Sequence, residues 1–248
     1  MPRIPQLLLP ASSLALSISR TAWVGLAAAS LAVCAVCAVC AAYAAEPPPA
    51  SPLQSLHNEA ASDAAREVVN RAVDSADHQG LPFLVIDKKE AKVFVFDRRA
   101  QLIGAAPALI GLAVGDDSVP GIGDRPLSSI RPQERTTPAG RFFATLGSSL
   151  QGDEVLWIDY DGGVALHRIS TLRSKDRRPQ RLASPTPADN RITYGCINVT
   201  VSFYEEVVSP AFRQSGGIVY VLPETRSLKA VFPTLHPSGK NITSVPEM

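Results

Sequence analysis

One thiol and one imidazole carry most of the chemistry available to this sequence. Of its four cysteines, Cys34, Cys37 and Cys40 lie in an apolar N-terminal stretch, which leaves Cys196 as the lone thiol of the remaining chain. Exported proteins usually pair their cysteines or have none, so a lone thiol there is a candidate nucleophile; the plainer reading is a buried structural cysteine. It lies in Arg191-Ile192-Thr193-Tyr194-Gly195-Cys196-Ile197-Asn198. A glycine before the cysteine lets the backbone turn sharply or approach a ligand. A helix starting a few residues later would bring its positive end near the sulfur and lower the thiol pKa. The backbone N–H groups of Gly195 and Cys196 would then hold a developing oxyanion. A thiolate also needs a base. His57 and His78 fall within or at the end of a predicted helix and His236 in the C-terminal stretch. That leaves His167, at the end of a predicted strand, as the base by elimination.

The elements that must position these groups follow from hydrophobic spacing. Residues 1–44 read as an export signal: a basic start, an apolar run from Thr21 and an Ala42-Tyr43-Ala44 cleavage pattern. The run is long enough to be a retained anchor instead; either way the remainder of the chain is extracytoplasmic or periplasmic, with membrane contact through this segment only. Residues 45–80 hold a Pro-rich linker and a spacer helix over 53–78, with Leu53, Leu56, Ala60, Ala64, Val68 and Val73 at roughly helical spacing. Phe83–Ile86 and Lys92–Phe96 predict a hairpin, and Leu102–Val114 a further extended stretch. Residues 115–140 form a long loop of the kind that usually serves function. Strands are predicted at Arg141–Leu146, Val155–Tyr160, Val164–Leu166 and Ile218–Leu222. A second long loop, 168–191, is rich in arginine, either as a solvated loop or as a rim for an anionic substrate. A helix from a Ser202/Glu205 capping box to about Arg213 follows the cysteine, and residues 224–248 read as a tail. Lys+Arg is 24 against Asp+Glu 23, for a net charge of +1, which gives no reason to expect nucleic acid as a partner. No zinc-type or phosphate-loop spacing occurs.

Three motifs in order resemble the L,D-transpeptidase catalytic domain, the YkuD or ErfK type. These are Thr137-Pro138-Ala139-Gly140-Arg141-Phe142, preceded by the Gly121-Ile122-Gly123 run; His167; and Thr193-Tyr194-Gly195-Cys196-Ile197-Asn198. The resemblance covers roughly residues 82–223, within a catalytic domain of 81–223. It implies a mainly β fold, a sandwich or barrel with a short helix after the cysteine and an N-terminal helix before it. It further implies a thioester mechanism on peptidoglycan stem peptides, with Cys196 as nucleophile, His167 as base and Gly195 at the catalytic turn. Tyr194, Thr193, Asn198 and Arg191 would be substrate-binding neighbours, and no metal or organic cofactor is required. The acyl acceptor would be a second stem or a wall-attached protein; with water it would be a carboxypeptidase or amidase. A cell-wall-binding module of weakened catalysis is a further reading. The chain departs from the pattern at Tyr194, where the family has a second histidine, at Arg168, where glycine is frequent, and in its 25-residue spacer between His167 and Thr193. Tyrosine, with a pKa of about 10, donates a hydrogen bond but does not shuttle protons at neutral pH.

Overall fold

The computed structural model describes residues 56, 58–170 and 174–235. The export segment, the Pro-rich linker, His57 and the residues beyond 235 lie outside that range. Ten strands form the framework: β1 (Phe83–Asp87), β2 (Lys92–Phe96), β3 (Leu102–Pro107), β4 (Ile110–Gly111), β5 (Gly140–Ser148), β6 (Glu154–Asp159), β7 (Val164–Arg168), β8 (Arg191–Thr193), β9 (Ile197–Val199) and β10 (Gly217–Val221). Eight of them make one sheet in the order β3-β2-β1-β10-β5-β6-β7-β9, and β4 pairs with β8 separately. The predicted hairpin forms in register from Phe83↔Phe96 to Asp87↔Lys92. Its turn is held by the Asp87 carboxylate, which accepts the N–H groups of Lys89 and Glu90 at 3.0 and 3.1 Å. Just past β3, Leu109 exchanges two backbone hydrogen bonds with Asn198 of β9, at 2.8 and 2.9 Å. The two ends of the sheet are thereby joined, and the fold is mainly β and barrel-like.

Alternation along the strands separates two cores. Leu84, Ile86, Val93, Val95, Val219 and Val221 point to the inner face, with Leu156, Leu166 and Ile197 from the other half of the sheet. Phe83, Val85, Phe94, Phe96, Ile218 and Tyr220 point to the opposite face. There they are covered by helix α1 (Asp63–Asp74), through Ala65, Val68, Val69 and Ala72, and by Phe232 and Leu235. The N-terminal helix is thus shorter than its sequence pattern, and it packs on the sheet. Ser62 caps it by accepting the Ala65 N–H at 3.1 Å, and Ala60, at φ 51°, interrupts the pattern before it. Residues 224–235, read as tail, are also part of this core.

A short helix, α2 (Arg178–Leu182), lies in the basic loop. The helix after the cysteine, α3, runs through Val201–Phe203, Tyr204–Val208 and Ser209–Phe212. Its cap is Thr200, which accepts the Phe203 N–H at 3.2 Å, and Ser202 stands inside the helix. Its middle turn is π-helical, next to Pro210, which has no N–H to donate. Tyr204, Val208 and Phe212 seat it on the inner core. Among the described residues, no helix is long and apolar enough to cross a membrane.

Candidate active site

β7 and β9 run parallel, with Leu166 opposite Ile197 and His167 opposite Asn198. Leu166 and Ile197 face the inner core, so His167 and Asn198 face the other way. Extending the register by one residue sets Cys196 beside Ala165 on that same outer face. His167 and Cys196 are therefore diagonal neighbours on adjoining strands, the relation that lets long side chains meet. His167 lies within the strand rather than beyond it. Trp157, opposite Ala165 on β6, continues the row, its ring 5.1 Å from that of Tyr160. The outer face thus has two halves, one buried under α1 and one carrying these side chains.

The turn before Cys196 admits only glycine. Gly195 has φ +133°, and a Cβ there would stand 2.8 Å from the Thr136 carbonyl oxygen. Its carbonyl accepts from Thr137 Oγ1 at 2.8 Å, and its N–H donates to Thr193 Oγ1 at 3.2 Å. Thr193 Oγ1 donates in turn to the Cys196 carbonyl at 2.6 Å. Two sequence expectations change here. The Gly195 N–H is engaged within the turn, so the N–H of Cys196, which finds no acceptor among the described residues, is the one left for an oxyanion. Thr193, 3% exposed, holds the turn together and is closed to a substrate.

Cys196 opens onto a cleft with Tyr194, Ile122, Ile130, Thr136 and Gly163 among its walls. The Arg135 guanidinium lies 4.0 Å from the centre of the Tyr194 ring and fixes that wall. Gly123 is backed so closely against the 161–163 turn that a Cβ would sit 2.1 Å from the Asp161 carbonyl oxygen. That contact accounts for the Gly121-Ile122-Gly123 run. The sulfur lies 3.6 Å from the Gly163 carbonyl oxygen. Burial pushes the Cys196 thiol up from its ordinary value, and the Ala165 N–H and the Arg178 charge draw it only partly back. The expected helix dipole does not act on it directly. Strand β9 intervenes, and three extended residues carry the start of α3 about 10 Å along the chain.

The His167 ring is engaged on both sides. Nδ1 is 2.8 Å from the Arg168 carbonyl oxygen, and Nε2 is 2.9 Å from Asn198 Nδ2. Burial holds the imidazole below its ordinary pKa, with Arg178 and Arg168 adding to that against Asp153. Arg178 reaches in from the long basic loop, donates to Asn198 Oδ1 and pairs with Asp176 at 2.9 Å. Nothing distinguishes it in sequence from the other basic residues of that loop. Asn198, 1% exposed, touches the His167 ring directly. Arg191, expected at the substrate, is engaged elsewhere. Its guanidinium pairs with Glu224 and donates to the carbonyls of Gly111 and Ala113.

No protein-family model matches the chain, and no curated protein matches it significantly. Solved structures do. The chain is 17% identical to the catalytic domain of an L,D-transpeptidase from E. faecium, over 58% of this chain and 99% of that one, with a TM-score of 0.34. It is 16% identical to an L,D-transpeptidase from Xylanimonas cellulosilytica, over 57% and 60% of the two chains, with a TM-score of 0.33. To the helical cell shape determining protein Pgp2 from Campylobacter jejuni it is 14% identical, over 59% and 49%, with a TM-score of 0.36. The chain thus spans about half to three fifths of the length of the last two.

Proposed function

We propose that this chain is an exported cysteine acyltransferase of the L,D-transpeptidase kind, acting on peptidoglycan stem peptides. The observation that carries the reading is the strand register that makes Cys196 and His167 diagonal neighbours on one sheet face, at a glycine-only turn that opens onto a cleft. The order of the three sequence motifs and the apolar N-terminal segment support it.

In this mechanism His167 Nε2 exchanges Asn198 for the sulfur and takes the thiol proton. The thiolate attacks the carbonyl of the third stem residue, and the Cys196 N–H holds the resulting oxyanion. Collapse breaks the C–N bond and expels the terminal D-Ala, whose nitrogen takes the proton from His167. An amine of a second stem, or of a wall-attached protein, then opens the thioester and restores the thiol. Water in the same role releases tripeptide.

A second reading, a wall-binding module of weakened catalysis, is favoured by one observation: the thiol rests against Gly163 with a raised pKa while Nε2 is taken by Asn198. Incubating the chain with disaccharide-tetrapeptide, beside Cys196→Ala, separates the readings by mass spectrometry. Cross-linked dimer with loss of D-Ala, absent in the variant, is the expected outcome. Tripeptide alone makes the protein a carboxypeptidase. Unchanged substrate in both samples, with retention on sacculi, supports the binding module.

A further inference from the structure

The long loop between His167 and Thr193 brings one residue to the base. The hydrogen bonds there form a single line: Asp176, Arg178, Asn198, His167 and the Arg168 carbonyl. We propose that Arg178 is a positioning residue that fixes the orientation of the Asn198 amide and so keeps Nε2 of His167 facing a donor, an inference that deepens the reading of Cys196 and His167 as a catalytic pair.

Donor and acceptor chemistry leaves one assignment for the line. A guanidinium only donates, so the Asn198 atom facing Arg178 is the amide oxygen. The amide nitrogen then faces His167, and it too only donates. Nε2 must therefore accept, which leaves the ring proton on Nδ1, donated to the Arg168 carbonyl. A donor-only group at one end and an acceptor-only group at the other set every hydrogen between them. Asp176, on two guanidinium nitrogens at 2.9 and 3.0 Å, holds Arg178 in place.

This arrangement has a consequence for proton delivery. Nε2, the nitrogen that takes the thiol proton in the proposed mechanism, is the unprotonated one, as a base requires. When His167 becomes imidazolium, its Nε2–H needs an acceptor. Asn198 could supply one only by turning its amide over, and Arg178 pins the oxygen on the far side. The proton is left with the sulfur or the departing amine. The charges facing the ring are Arg178, Arg168 and Asp153; Glu205 pairs with Arg168 at 3.0 Å and Asp176 with Arg178, so neither anion is free to hold the imidazolium.

The test is the tautomer itself. Imidazole nitrogen shifts of the full chain carrying ¹⁵N-histidine, with the His167 signals identified by their loss in His167→Gln, report which nitrogen bears the proton. The Nδ1–H form is expected in the unaltered protein. In Arg178→Met the Asn198 amide is free to turn its oxygen to the ring and accept from the imidazolium, and the His167 titration midpoint rises by about one pH unit, as that acceptor and the removal of a nearby like charge require. Arg178→Lys, which keeps a donor-only cation facing the amide oxygen, restores the midpoint of the unaltered protein. An Nε2–H ring in the unaltered protein overturns the proposal without any variant. So does an Arg178→Met protein with an unchanged titration. None of these readings depends on turnover, so they stand apart from the product assay.

Discussion

At Cys196 and at His167 the neutral form is favoured. Burial raises the thiol and lowers the imidazole, and both shifts disfavour the thiolate–imidazolium form. The thiol should accordingly alkylate slowly at neutral pH, with a rate that climbs through and beyond the ordinary thiol range, about 8.5, as pH rises. Iodoacetamide kinetics across pH check this, and a plateau already present at neutral pH would contradict it. A stem peptide that draws Nε2 from Asn198 to the sulfur should move the rising limb to lower pH. The geometry also decides between residues that look alike in sequence. Of the polar side chains around Cys196, Tyr194 lines the cleft and Asn198 holds the base, while Thr193 and Arg191 are engaged in structure.

Among the elements, the Gly195–Cys196 turn is anchored by a buried charged cluster. Lys88, 1% exposed, stands at the turn of the β1–β2 hairpin. Its ammonium donates to Asp116 at 3.0 Å, to the Gly115 carbonyl at 2.6 Å and to the Thr137 carbonyl at 2.8 Å. Thr137 then holds Gly195, and its Oγ1 also accepts the Gly111 N–H at 2.9 Å. The Thr-Pro motif thus ties the long 115–140 loop to the nucleophile turn. Replacing Lys88 by Met leaves Asp116 buried without its main cation. Breaking such a pair from one side costs about 3–5 kcal/mol, and urea denaturation should register a loss of that size. Thr137→Val keeps the shape and removes only the hydrogen bonds, so a smaller loss of about 1–3 kcal/mol is expected.

At the scale of the whole molecule, residues 224–235 complete the domain. Asp116 accepts the N–H groups of Glu224, Thr225 and Arg226 at 2.7–2.8 Å, and Phe232 and Leu235 close the outer core. A chain ending at residue 223 should lose cooperative thermal unfolding, and one ending at 235 should keep it. The same cluster sets the acid limit. Burial raises the Asp116 carboxyl, but hydrogen bonds from Thr225, Arg226 and Lys88 outweigh it and bring the pKa down from 3.8 to about 2. With the folded pKa below the unfolded one, its contribution is present above pH 3.8 and is lost as pH falls through about 2. Asp116→Asn should flatten stability over that interval, read as unfolding midpoints between pH 5 and 2.

The sequence by itself determined the parts whose physics is local. Short apolar runs at 83–86, 92–96, 141–146, 155–160 and 218–222, bounded by turn residues, dictate strands. A glycine before a lone cysteine marks a sharp turn, and His167, at the end of a predicted strand, is the candidate base by elimination. Tertiary structure decided what depends on residues distant in the chain. The Gly195 N–H was assignable only once Thr193 Oγ1 was seen to accept it. The start of α3 was removed from the sulfur by a three-residue strand with no periodicity of its own. Arg191 and Arg178 are both arginines near the cysteine, yet a partner 33 residues away, Glu224, takes the first, while Asn198 receives the second. Periodicity reports which face a residue takes along its own element. It carries no information on which buried acceptor, from which other element, will meet a given donor, and at this site those pairings set the chemistry.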